Sequence, residues 1–289
     1  MARTIPQSFR DFCSNLEITD LQQSAVSTRH TNVRDAMNKG FDVLDDFLTG
    51  SYSRSTLIAP LSEADIDVFI VLDPKYYSAD GPASLLDSAK RTLKLTYPKT
   101  PDISRNGQAV TIAFTDFTID VVPGFYRQGG GYLIPTTSNG GRWLPTDPKV
   151  HVDLSTKHNK AHNGDLVPMV KILKCWNRSV NSPFRSFHLE ALAWSIFSGI
   201  GISDYPSGAR YFFDKARNYV RSKLADPAGY SDDIGYYICN EAAFAAVISK
   251  LDTAYNRAFK AEKYASENKI PRAVEEWQKV FGDYFPSYG

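Results

Sequence analysis

Asp65 and Asp67 stand two residues apart at the head of an apolar run, Val68 to Leu72, and a third aspartate, Asp120, lies within a second run, Phe117 to Val122. Successive side chains on a strand point to opposite faces, so Asp65 and Asp67 share one face while Ile66 and Val68 turn to the other. Two carboxylates so close repel each other unless cations sit between them. Magnesium takes oxygen ligands, usually one or two carboxylates together with substrate phosphates. Paired metals about 3.5–4 Å apart activate an attacking oxygen and stabilise a leaving one. Asp120 carries much of the weight, because an ionisable residue between Ile119 and Val121 is costly to bury without a partner. A metal pair supplies that partner. Gly50-Ser51 precedes the Asp-x-Asp pair by about a strand's length. Taken singly, Gly-Ser reads as a turn and Asp-x-Asp as a solvated strand end. The combination is the layout that holds a nucleoside triphosphate and two magnesium ions over one strand pair, and it implies magnesium-dependent nucleotidyl transfer.

The elements that must position these residues follow from periodicity. Thr19 to about Lys39 reads as a helix, with Leu21, Ala25, Val33 and Met37 at helical spacing and Gly40 near its end. Phe41 to Leu48 leads into Gly50-Ser51. A strand is expected over Ile66 to Leu72, a helix over Ala83 to Leu95, and strands over Ala109 to Thr115 and Phe117 to Val122. The last two are close enough for an antiparallel hairpin pivoting on Thr115 and Asp116. Gln128 to Pro148, rich in Gly, Pro and Asn, reads as a short hairpin of Tyr132 to Ile134 against Arg142 to Leu144, with a mobile tip at Thr136 to Gly141. After His158 the character changes. Asp165 to Arg178, Ser186 to Ser198, Arg210 to Leu224, Glu241 to Lys263 and Ala273 to Phe281 are helix candidates, with breaks at Asp226-Pro227 and Asn268 to Pro271. A mixed first half and an all-helical second half imply two lobes with a cleft between them.

Bulk composition is consistent with this. The 289 residues are 43% hydrophobic and 22% charged, ordinary for a folded soluble chain and far from the disordered class. A formal charge of +1, from 33 basic and 32 acidic residues, argues against a chain-wide basic surface for nucleic acid. Cys13, Cys175 and Cys239 are widely spaced and odd in number, which suggests neither a disulfide framework nor a zinc site. Met1 to Phe12 lacks the apolar core of a signal peptide and no run approaches a membrane span, so a cytoplasmic protein with no membrane partner is expected.

The stretch TGSYSRSTLIAPLSEADIDVFIVL resembles the Gly-Ser…Asp-x-Asp signature of polymerase-β-like nucleotidyltransferases. More narrowly it resembles the bacterial cyclic-oligonucleotide synthases (CD-NTases, or SMODS domains), relatives of cyclic GMP-AMP synthase and oligoadenylate synthase. FTIDVVPGF is similar to the segment around the family's third aspartate. VKILKCWNRS followed by RSFHLEALAW looks like its helical-lobe signature, and LADPAGYSDDIGYY and AVEEWQKVFGDYFP resemble later segments. The resemblance runs from about Val33 to the end. Ser55 departs from it, standing where many relatives have Gly before Thr56.

The resemblance implies an α+β fold: a polymerase-β-like core with a mixed sheet over residues 1–160, including the N-terminal helix, and a helical lobe over 161–289, with the active site in the cleft between. It implies that Asp65 and Asp67 bind both magnesium ions (manganese can substitute), and that Asp120 holds the metal activating the attacking ribose hydroxyl. The backbone around Gly50 and the Ser51 hydroxyl would grip the triphosphate, since glycine lets the chain approach closely and amides stabilise phosphate charge. Lys171 and Lys174, at i and i+3, project from one helix face. A bare helix would show them to solvent; the resemblance makes them a triphosphate clamp with Ser186 nearby. Trp176, Trp194 and Trp277 read as core. Tyr132 and Trp143 suit either a bound base or hairpin packing. The five histidines lack metal-ligand spacing, and Tyr255 to Lys269 mixes both charges as a solvated face does.

The activity so implied joins NTPs into a cyclic di- or trinucleotide second messenger that activates a downstream effector in antiphage defence. The rivals are a linear oligoadenylate synthase, an RNA or protein nucleotidyltransferase, and a catalytically silent nucleotide-binding protein. A nucleic-acid activator is not expected. Some relatives are conjugated through a C-terminal residue, and Gly289 is compatible with that chemistry, although a plain chain end accounts for it as well.

Overall fold

The computed structural model describes residues 4–137 and 141–289. The chain divides into two units, one of 18–153 and one combining 1–17 with 154–289.

The unit of 18–153 is a sheet backed by helices. Its strands are β1 (Val43–Thr49), β2 (Asp65–Leu72), β3 (Ile103–Asn106), β4 (Ala109–Ala113) and β5 (Thr118–Tyr126), in the order β1-β2-β5-β4-β3. β2 and β5 run parallel; the other pairs are antiparallel. β5 continues into the antiparallel hairpin of β6 (Tyr132–Thr136) and β7 (Arg142–Thr146). The mixed sheet, the β4–β5 hairpin and the pairing of Ile134 with Leu144 all match expectation. Residues 138–140, within the expected tip, lie outside the described residues.

The buried alternation of β2 (Ile66, Val68, Ile70) and β5 (Ile119, Val121) faces α2 (Asp20–Met37) and α4 (Pro82–Thr96), forming one apolar core. α2 starts at a capping box: Gln22 N–H donates to Thr19 Oγ1, and the Gln22 side chain accepts from Thr19 N–H. Its buried stripe is Val26, Val33, Ala36 and Met37 rather than the expected Leu21, Ala25, Val33 and Met37. Leu21 sits in the first turn, 84% exposed. A short stripe leaves the face of a first turn undetermined.

The second unit is helical. It holds α1 (Ile5–Asn15), most of α5 (Pro148–Ala161), α6 (Leu166–Ser179), α7 (Ser186–Ile196), α8 (Tyr205–Tyr219), α9 (Glu241–Ser266) and α10 (Ile270–Phe281). Residues 1–17 group with the helical unit, and the division between the units falls inside α5. The cause at the N-terminus is aromatic packing. Phe9 meets Trp277 edge-on at 5.0 Å between centroids, and Phe12 meets Phe281 at 4.8 Å. α8 begins five residues before the expected Arg210, because Asp204 caps it through Ser207 N–H and Pro206 occupies its first turn. Pro271 likewise opens α10 rather than ending a segment. Among the described residues no helix is long and apolar enough to cross a membrane.

Candidate active site

β1 ends at Thr49 and the chain turns at once into a four-residue helical turn, α3 (Gly50–Ser53). Gly50 holds φ +65°, and a Cβ built there would lie 1.8 Å from Asp67 Oδ2. Only glycine satisfies both conditions, so the backbone and the carboxylate are in direct apposition. The following loop is tied back: Thr56 and Leu57 N–H groups donate to the Ser51 carbonyl at 2.9 and 3.1 Å. Ser55 adopts φ +59°, a left-handed conformation that glycine takes without strain. The backbone shape at this position is thus the one glycine favours, and serine adopts it.

The sheet register assembles the aspartates. Asp67 on β2 is the register partner of Asp120 on parallel β5. Thr49 on β1 lies opposite Asp67, and Thr111 on β4 opposite Asp120. A transverse row Thr49–Asp67–Asp120–Thr111 therefore crosses four strands, with Asp65 two residues away on the same face as Asp67. Asp65 is exposed while Asp67 and Asp120 are half-buried. Burial raises the Asp120 pKa above the usual carboxylate range; the hydroxyl of Thr111, which donates to Oδ1, opposes this, and the charge of Asp65 adds to it.

Among the described residues no three or more His, Cys, Asp or Glu side chains are gathered closely enough to hold a metal ion by themselves. The fit to magnesium rests instead on the donor set. Three hard oxygen ligands share one sheet face beside a glycine backbone, which suits a cation that keeps part of its shell for water and phosphate.

Lys171 and Lys174 both lie buried on α6, each already engaged. Lys174 Nζ is 2.7 Å from Oε1 of the fully buried Glu190 on α7. The Ser186 hydroxyl donates to the same oxygen at 3.5 Å, so the structure gathers Lys174 and Ser186 on one carboxylate. Lys171 goes elsewhere, donating to both oxygens of Glu17 at 2.7 and 2.6 Å. One helix face therefore carries two separate ion pairs. Sequence reasoning missed Glu190. The signal that exposed Asp120, an ionisable residue inside an apolar run, was present in SFHLEALAW as well.

Trp176, Trp194 and Trp277 are buried, as expected of core residues. Tyr132 packs against Phe47 and Phe69, and Trp143 donates its Nε1–H to the Ser78 carbonyl while packing on Tyr77 and Phe125. Hairpin packing accounts for both.

A family model described as Second Messenger Oligonucleotide or Dinucleotide Synthetase domain matches residues 3–159. The chain is 27% identical over 307 residues to a cyclic AMP-AMP-AMP synthase of an Acinetobacter strain, covering 98% of this chain and 86% of that protein. Its fold is similar to that of CdnC from Escherichia coli MS115-1 solved with ATP, at TM-score 0.78 and 20% identity, covering 98% and 99% of the two chains. It is also similar to the Vibrio cholerae cyclic AMP-GMP synthase DncV solved with a linear intermediate, at TM-score 0.72 and 15% identity, covering 98% and 87%.

Proposed function

Since the chain belongs to the Second Messenger Oligonucleotide or Dinucleotide Synthetase family, a family of nucleotidyltransferases that make cyclic oligonucleotide messengers, we propose that Asp65, Asp67 and Asp120 form its catalytic metal site. The observation that carries this reading is the in-register pairing of Asp67 with Asp120 on parallel strands, with the Gly50 backbone against Asp67. Magnesium, or manganese in its place, would be held by these three carboxylates and would supply charge neutralisation for a bound triphosphate.

The chain's own residues then have defined tasks. Gly50 admits the phosphates close to backbone N–H groups, and the Ser51 hydroxyl donates to a phosphate oxygen. Lys174 and Ser186, gathered on Glu190, are assigned to the triphosphate. Lys171, held by Glu17, ties the segment that follows α1 to α6. A ribose hydroxyl oxygen attacks the α-phosphorus of an NTP, the bond from that phosphorus to the β-phosphate bridging oxygen breaks, and pyrophosphate departs. Asp120 takes the hydroxyl proton on a carboxylate oxygen. A second transfer within the linear product closes the ring. The acceleration comes from positioning and charge neutralisation.

The product of this reading is a cyclic di- or trinucleotide that acts through a downstream effector in antiphage defence. The related Acinetobacter protein is a cyclic AMP-AMP-AMP synthase, which supports a ring built from adenine nucleotides. Incubation with all four NTPs and magnesium or manganese, followed by phosphatase and mass spectrometry, tests it. A phosphatase-resistant oligonucleotide made by the wild type and absent with Asp65→Ala/Asp67→Ala is expected. A phosphatase-sensitive product would point to a linear oligoadenylate synthase.

A further inference from the structure

The helical unit contains a cavity that the catalytic reading does not use. It measures about 120 Å³ and is built from α6, α9 and α10. Trp176, Ala254 and Val280 give it an apolar floor, and Ser249, Thr253, Lys250, Arg257 and Lys279 bring polar groups to its walls. Ser249, Lys250, Thr253 and Arg257 share one face of α9, spaced at three, four and seven residues.

The charge at this place is unbalanced. Lys250 donates to the Val180 carbonyl at 2.6 Å, a neutral acceptor that leaves its charge uncompensated. Arg257, Lys260 and Lys279 all converge on one buried carboxylate, Glu276, at 3.7, 3.1 and 2.8 Å. Among the described residues, the ion pairs of these four cations end on that single acid. Neutralising Glu276 takes one cation, so the four carry a surplus of about three positive charges, and Lys250, Arg257 and Lys279 among them line the cavity with its hydroxyl donors. Charges beside an apolar floor interact more strongly than they would in bulk water. Arg257 and Lys279 keep 37% and 49% of their side-chain surface exposed, so a ligand can reach them.

We propose that this cavity binds a multiply charged phosphate anion, held by Lys250, Arg257 and Lys279 with hydrogen bonds from Ser249 and Thr253. Guanidinium and ammonium groups together suit phosphate oxygens, the first as a fork and the second as a point charge. The volume accommodates one phosphate group and leaves any attached nucleoside outside. Inorganic pyrophosphate and the terminal phosphates of a nucleotide share this chemistry.

Equilibrium dialysis of the full chain with radiolabelled pyrophosphate, in EDTA, tests the proposal. One saturable site is expected, weakened by added salt. Arg257→Gln/Lys279→Gln should weaken it about tenfold or more, the cost of losing charge-assisted contacts. Thr253→Asp, at an exposed position, should abolish binding by placing a like charge in the cavity, and its unchanged melting temperature would verify the fold. Ser186→Ala should leave the affinity unchanged, which separates this site from the proposed nucleotide contact. Competition by ATP would identify nucleotide phosphates as the ligand, and competition by inorganic phosphate alone would identify the free anion; either upholds the site. Absence of saturable binding, binding indifferent to both cavity variants, or loss in Ser186→Ala instead would overturn it.

Discussion

The carboxylate of Asp67 occupies the space that a side chain at position 50 would need: a Cβ on Gly50 would come within 1.8 Å of Asp67 Oδ2. The Gly-Ser turn and the Asp-x-Asp strand are therefore one structural unit, although they are separated in the chain. Gly50→Ala would force a left-handed alanine, at about 1–2 kcal/mol, and would displace the carboxylate as well. The expected outcome is a fall in nucleotide turnover of about a hundredfold, since small misplacements of reacting groups cost on that order. A fall in melting temperature should accompany it. Turnover within a few fold of wild type would show that Asp67 can move without consequence.

Asp120 is a charge that the fold holds at a cost. Burial and the neighbouring charge of Asp65 both disfavour its ionised form, and Thr111 compensates only in part. Asp120→Asn removes the charge and keeps the Thr111 contact. In EDTA at neutral pH the variant should melt above the wild type, while turnover with magnesium should fall about a thousandfold, the equivalent of several kcal/mol of lost charge stabilisation. Differential scanning calorimetry and a product assay on the same preparations would check both. A lower melting temperature for the variant would contradict that cost.

Lys174 and Glu190 form a pair that is 8% and 0% exposed. Removing one partner takes the opposite charge from a buried ion, which costs roughly 3–5 kcal/mol. Glu190→Gln should lower the denaturation free energy by an amount in that range. Lys174→Met/Glu190→Leu should recover most of it, because apolar replacement of both members of a buried pair is close to neutral. Urea titrations of the single and double variants would separate these outcomes.

His188 supplies a pH signature in the helical unit. Tyr237 accepts the Arg185 N–H at 2.7 Å, so its own hydroxyl proton is available for His188 Nδ1, 2.8 Å away. A neutral imidazole accepts that proton. Burial pushes the His188 pKa down to about 4, against a smaller opposing pull from Asp233. Below the ordinary value near 6.5 the unfolded chain takes up a proton that the folded one refuses. Stability contributed by this residue is thus complete above about pH 6.5 and is lost as pH falls toward about 4, at up to roughly 1.4 kcal/mol per pH unit. His188→Gln should flatten that slope. Equal slopes for variant and wild type between pH 5 and pH 6.5 in urea titrations, about the window named, would rule it out.

Local pattern was enough to identify the chemistry of this chain. The two-residue period of a strand places Asp65 and Asp67 on one face, and an aspartate between Ile119 and Val121 marks itself by the cost of burying it. Strands and helices around the site were readable for the same reason, since burial patterns repeat over short windows. Three helices escaped, α1, the four-residue α3 and α5, along with the four-residue strand β3, and the segment that forms β1 was given no strand assignment. In α1 the apolar residues are directed at distant partners, Phe9 at Trp277 and Phe12 at Phe281.

What only the tertiary structure decided are the long-range relationships. The parallel register that pairs Asp67 with Asp120 depends on how β2 and β5 meet, and nothing local to either strand specifies it. Lys171 and Lys174 look equivalent on their helix, yet one pairs with Glu17, 154 residues away, and the other with Glu190. The surplus of charge around Glu276 likewise exists only once α9 and α10 pack together. Side-chain type and spacing act over a turn or a strand, whereas register and ion pairing are set by which distant surfaces become neighbours when the core closes.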